Sequence, residues 1–250
     1  TAHASSNVSA RGTYAGIVEK IPYLKDLGIT AVELMPVTEF DEVMMSSSGN
    51  GFHDAKSEPT GYINYWGYGP SYLYAVKSAY ASHGEMSAES EFKTLVKELH
   101  RAGIECIPEL YFTGKELPGE IVSVLRYWVE EYHVDGFHLS GFPNLLLAAE
   151  DPFLKRTKLF AENWNDVMNR RPKQGYVTPG DGAVSVEEKN LAEYNMQFME
   201  DMRRFLKGDE GMLSAFELRN RRNPMEYAVI NYMANTNGFT LMDTVSYDRK

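Results

Sequence analysis

The stretch Val134-Asp135-Gly136-Phe137-His138-Leu139-Ser140 reads as a short buried strand, apolar at positions 134, 137 and 139. An amphipathic helix precedes it, with Ile121, Leu125, Trp128, Val129 and Tyr132 at helical spacing, and a Gly141-Phe142-Pro143 turn follows. A helix feeding directly into an apolar strand is one half of a βα repeat in a parallel sheet. In that layout ligands gather at the carboxyl ends of the strands, so Ser140 stands where chemistry is expected. The side chain there is a hydroxyl with no evident base beside it in the sequence.

The pattern repeats on both sides of this stretch. Tyr14, Ile17, Val18, Ile21 and Leu24 keep helical spacing up to a capping Gly28, with Pro22 predicting a kink or two short helices. Ile29 to Leu34 reads as a buried strand, and the Ser-, Gly- and Asp-rich segment 41–64 as a long loop. Ser87 is the expected N-cap of a helix with Glu89 and Glu91 in its first turn and Phe92, Leu95, Val96 and Leu99 inside. Ile104 to Phe112 is the next strand. After 134–139 come a short helix near 144–150, a strand from Lys158 to Ala161 and a loop-like segment 165–188. A helix through Leu191, Phe198, Met202 and Leu206 ends at Gly208, and a last strand runs from Tyr227 to Met233. Strands alternating with helices predict an α/β fold with a parallel sheet, and one domain over residues 1–250 is the simplest organisation.

Composition narrows the partners. A net charge of −10 over 250 residues, with no basic stripe, argues against nucleic acid and anionic membranes. No apolar run approaches a membrane span. The single Cys106 lies inside an apolar strand and reads as core. No His or Cys spacing suggests a metal site and no Gly-rich loop suggests a phosphate site, so no cofactor is expected.

Among strand ends, Glu162 is the best acid, because it follows an apolar strand and lies near an aromatic, a setting that can raise a carboxyl pKa. A buried Glu held by a neighbouring donor is an equally good reading. Glu109 reads as a paired strand carboxylate and His138 as a hydrogen-bonded core histidine. The cluster Asn64-Tyr65-Trp66-Gly67-Tyr68-Gly69-Pro70 offers aromatic faces for a neutral sugar ring, or anchors a loop.

These segments together resemble the α-amylase superfamily of glycoside hydrolases (family 13), in its isoamylase and glycogen-debranching branch. Arg11 to Gly16 with Ile29 to Val37 resembles the family's second strand and its preceding helix. Asn64 to Pro70 is similar to a motif whose last Tyr, here Tyr68, contacts the sugar at the cleavage subsite. Leu125 through Phe137 resembles the run into the nucleophile strand, Lys158 to Trp164 the strand bearing the general acid, and Asn237 to Leu241 with Val245 to Tyr247 the final motif. The resemblance implies a (β/α)8 TIM-type barrel, of which the second to seventh strands are recognised. The barrel is then incomplete or truncated, and a second copy of the chain or the remainder of a longer protein would cover its edges. The family insertion after the third strand is largely absent.

The departures fall on the catalytic positions. The family strand reads Asp-Gly-Phe-Arg-Phe-Asp; here His138 replaces the arginine and Ser140 the nucleophilic aspartate. Asn237 replaces the third carboxylate. Thr113-Gly114 replaces Asn-His, which removes the asparagine that often binds calcium. Glu162 at the general-acid position and Tyr68 remain, and Trp66, His138 and Trp164 are the other residues the resemblance places near substrate. Retaining hydrolysis needs a carboxylate nucleophile opposite an acid. The expectation is a catalytically inactive domain that binds α-glucan or maltooligosaccharide, or that partners a catalytic isoamylase. The pattern resembles the non-catalytic isoamylase form of plants, which implies a plastid; without that resemblance a cytoplasmic protein is expected. Two alternatives stay open: an active hydrolase on α-1,4/1,6-glucans using Glu109 and Glu162, and a purely structural domain.

Overall fold

A computed structural model describes residues 2–48, 56–82, 86–164, 190–224, 227–236 and 242. The chain divides into two compact units, Thr1–Thr157 and Lys158–Lys250.

The first unit opens with α1 (Tyr14–Asp26), whose N-cap Thr13 accepts a hydrogen bond from the Gly16 amide. The helix continues through Pro22 as one element rather than two; a helix can absorb a single proline where packing on its inner face, here Tyr14 and Ile21, holds it. The strand β1 (Ala31–Leu34) is two residues shorter than the apolar run implied. Segment 41–64 is not a long loop. It holds β3 (Val43–Ser48) and β4 (Lys56–Ile63), paired antiparallel, and these follow a short β2 (Thr38–Phe40) that pairs antiparallel with β5 (Ser71–Val76). Antiparallel ribbons draw their stability from backbone pairing, which polar composition conceals.

Next come α2 (Ala88–Arg101), β6 (Glu105–Phe112), α3 (Pro118–Tyr132) and β7 (Gly136–Gly141). The N-cap of α2 is Ser87, as expected, and its acidic first turn and basic last turn both complement the helix dipole. β1, β6 and β7 pair in parallel, with Glu33 opposite Ile107 and Glu109 opposite His138. Alternation along strands then sorts the side chains. Cys106, Leu110, Phe112, Phe137 and Leu139 are all buried, and the inner faces of α2 and α3 (Phe92, Leu95, Leu99, Trp128) are buried as well. Phe92, Trp128 and Tyr132 meet edge-on or tilted within this core, and the Trp128 indole donates to the Leu73 carbonyl at 2.7 Å. Burial pushes the Cys106 thiol up to about 12, so it is inert packing. Glu33, Ile107, Glu109, Tyr111, His138 and Ser140 share the opposite face. A short α4 (Leu146–Glu150) closes the unit.

The second unit contains three parallel strands, β8 (Lys158–Ala161), β9 (Leu191–Tyr194) and β10 (Ala228–Ile230), with β9 paired to both neighbours. The helix expected from Leu191 is in fact a strand followed by α5 (Met196–Lys207). Asn195 divides them: its side chain accepts from the Phe198 amide, and Gly208 in a left-handed conformation ends the helix as predicted. A further helix, α6 (Met212–Asn220), packs Phe216 flat on Phe205 with ring centroids 4.8 Å apart. β10 is shorter than the Tyr227–Met233 run. No helix among the described residues is long and apolar enough to cross a membrane.

Candidate functional site

The polar face of the first unit gathers its groups at the carboxyl ends of β6 and β7. Parallel pairing sets Glu109 beside His138 and Tyr111 beside Ser140. Gly141 fixes the end of β7: its φ of 81° is open chiefly to glycine, and a Cβ there would collide with the Phe112 carbonyl oxygen. That close approach keeps Ser140 tight against β6.

Glu109 is only 3% exposed. Burial pushes its carboxyl above the usual carboxylate range; the Ser140 hydroxyl, the His138 ring and the Tyr68 hydroxyl pull the other way, and Glu33 adds to the rise. Glu109, read from the sequence as a paired strand carboxylate, faces a serine hydroxyl, a tyrosine hydroxyl and an imidazole. Its Oε1, like Ser140 Oγ, is buried without a hydrogen-bond partner at full contact distance. Ser140 does have a carboxyl beside it, one that sequence spacing could not reveal, because the two lie 31 positions apart and meet only through strand register. His138 behaves as expected of a hydrogen-bonded histidine: its Nδ1 lies 2.7 Å from Glu33 Oε1. Glu33 is the group the sequence reading missed; the available signal was a charged residue in an otherwise apolar strand.

Tyr68 sits over this face. Its ring lies 5.2 Å from that of Tyr111, tilted by 34°, and its carbonyl accepts from Asn64 Nδ2 at 3.0 Å. The Asn64 side chain also accepts from the Gly67 amide, so one asparagine shapes the aromatic turn. Gly67 packs against the Phe40 ring with no room for a Cβ. Trp66 is exposed and meets Tyr65 in a T-shaped pair with ring centroids 5.0 Å apart. The position of the family's calcium-binding asparagine, Thr113, is closed into a turn: its amide and hydroxyl and the Gly114 amide all donate to the Glu116 carboxylate.

In the second unit, Glu162 lies just past β8 and is exposed, not lodged in an apolar pocket. It raises the Tyr232 phenol somewhat, behind the larger effect of that tyrosine's burial. Trp164 corrects a second expectation. It is fully buried, donating its indole N–H to the Ala192 carbonyl at 2.9 Å and its amide to Glu193 at 2.8 Å, so it has no face to offer a sugar. Glu193, on β9, is also buried and pairs with Arg222. Asn237 lies outside the described residues.

A parallel α/β sheet with a polar cluster and aromatics at its strand ends is a layout that places a ligand site at the carboxyl ends of the strands. The comparisons with known proteins agree. Residues 2–110 match the family model described as "Alpha amylase, catalytic domain". The chain is 32% identical to isoamylase 3, chloroplastic, of Oryza sativa subsp. japonica, over 100% of this chain and 39% of that protein. It is 30% identical to a glycogen debranching enzyme of Serratia proteamaculans (strain 568), over 96% of this chain and 43% of that protein. A pullulanase from Anoxybacillus sp. LM18-11, solved in complex with maltotetraose, shares the fold with a TM-score of 0.68 at 19% identity, over 98% of this chain and 44% of that one. The chain carries an α-amylase family domain over residues 2–110, and its homologues lie among the isoamylases and glycogen-debranching proteins. It spans about two fifths of the length of the curated relatives it matches.

Proposed function

We propose that this is a non-hydrolytic isoamylase-type domain that retains affinity for α-glucan. The observation that carries the reading is Ser140 at the end of β7, where the family resemblance puts the nucleophilic aspartate. A serine attacks a glycosidic carbon poorly unless a base takes its proton. Among the described residues, the carboxyl beside it is that of Glu109, whose burial favours the protonated acid over the base. His138 in place of the family arginine, bonded to Glu33, removes the fixed cation beside the nucleophile position as well. Tyr68 above Tyr111, with Trp66 partly exposed nearby, supports sugar stacking on this face. A plastid setting and partnership with a catalytic isoamylase rest on the resemblance to the plant non-catalytic form. The edge strands β1 and β10, partly exposed where β6 is almost wholly buried, suit a covering partner or further chain.

One observation favours a second reading. A buried carboxyl with a raised pKa, as at Glu109, is what a general acid needs, and in that role it would serve an unconventional hydrolase. Calorimetric titration with maltoheptaose separates the two in part: saturable binding that Tyr68→Ala weakens at least about tenfold supports the glucan-binding reading. Absence of any binding would leave only a structural role and overturn it.

A further inference from the structure

One carboxylate oxygen of Glu33 on β1, one of Glu109 on β6 and a ring nitrogen of His138 on β7 all lie within 4.8 Å of one another. Strand register produces this convergence. Glu33 is level with Ile107, two residues before Glu109 on the same face, and Glu109 is level with His138. The donors therefore come from three adjacent strands of one parallel sheet, a rigid platform of the kind that holds ligands precisely.

Two independent features of the surroundings point to a guest at this place. Glu109 is 97% buried, from its 3% exposure, yet its Oε1 has no hydrogen-bond partner. Ser140 is 7% exposed, and its Oγ beside the Glu109 carboxyl makes no hydrogen bond of full geometry among the described residues. A buried polar atom left without a partner costs stability, so a fold retains one where something else satisfies it. The cluster itself sets two carboxylates against one imidazole.

We propose that Glu33, Glu109 and His138 form a divalent-cation site, with Ser140 Oγ at its rim. One imidazole nitrogen and two carboxylate oxygens suit a borderline cation such as Zn²⁺, Co²⁺ or Mn²⁺. They suit Ca²⁺ or Mg²⁺ less well, since those select oxygen ligands alone. Bonds of about 2.1 Å place ligand atoms no more than ~4.2 Å apart. The donors need to draw in only slightly, and Glu33, on the partly exposed strand β1, has the freedom to do so. The dication would take the place of the direct His138 Nδ1–Glu33 contact and would offset both carboxylates. The site lies on the face that Tyr68 covers, and its test reads the metal directly, without glucan.

The test uses the whole 250-residue chain in metal-free buffer, titrated with ZnCl2 by calorimetry and with CoCl2 by visible absorption. The expected result is one saturable equivalent and, for Co²⁺, d–d bands of a low-symmetry nitrogen and oxygen site. His138→Gln should abolish the bands. Glu33→Gln, at a partly exposed position that leaves the core intact, should weaken binding at least about tenfold. His100→Gln, at a histidine bonded to Asp135 instead, should change nothing. If His138→Gln does not fold, Glu33→Gln carries the test alone. No saturable binding at millimolar metal, or binding unchanged in Glu33→Gln, would overturn the proposal.

Discussion

Glu109 and Glu193 are the same residue type, each buried on a parallel strand, one in each unit. Their surroundings could hardly differ more. Glu193 is fully engaged: one oxygen accepts from the Trp164 amide, and the other pairs with Arg222. Burial works against the Arg222 guanidinium, but the Glu193 carboxylate outweighs it and holds the arginine charged. Among the described residues Glu109 faces a hydroxyl, a phenol and an imidazole rather than a guanidinium, and its carboxyl is pushed upward. A carboxylate tied to a guanidinium is architecture. A carboxyl with an unsatisfied oxygen on a polar face is left available for a ligand.

The contrast can be broken most forcefully from the Glu193 side. Arg222→Met strands a buried carboxylate and should cost on the order of 3 kcal/mol of stability in urea unfolding. Adding Glu193→Leu should recover most of that loss. If the single substitution is nearly neutral, the pair is not the structural lock described here.

Glu109→Gln should go the other way. In metal-free buffer it relieves a burial penalty of about 1 kcal/mol, raising the melting temperature by roughly 2–4 °C at pH 7.5. The sign follows from linkage: a carboxyl whose folded pKa is raised supports stability below its unfolded value. That support is lost as pH rises through the folded value. The gain from Glu109→Gln should therefore shrink as pH falls toward the ordinary carboxylate range. A gain that is constant with pH would place the effect in packing rather than charge.

The smallest effect sharpens the same point. Tyr68→Phe removes a hydroxyl that favours the ionised Glu109. It should lower stability at pH 7.5 by about 0.5–1 kcal/mol and have little effect under acid conditions, where the carboxyl is protonated.

The architecture was largely legible in the sequence because βα alternation and caps such as Ser87 and Gly208 are local signals. Errors arose where a local signal was ambiguous or weak. Leu191 to Tyr194 continued a helical pattern, and only the Asn195 cap separates strand from helix. The polar ribbon of β3 and β4 carries no apolar alternation to betray it. At the site, Ser140, His138 and Tyr68 were identified through motif positions, whereas Glu33 and the availability of Glu109 depend on register between strands far apart in sequence. Trp164 was misjudged for a related reason: a tryptophan beside a strand end has no visible orientation until the backbone carbonyl it bonds is known.

The central claim is that the strand ending at Ser140 no longer supports glycoside hydrolysis. The most direct test is reducing-end release from pullulan, glycogen and maltoheptaose, followed for days at several concentrations of the chain. The account predicts rates indistinguishable from buffer in all three. Release that scales with protein concentration and disappears in Glu162→Gln would contradict it.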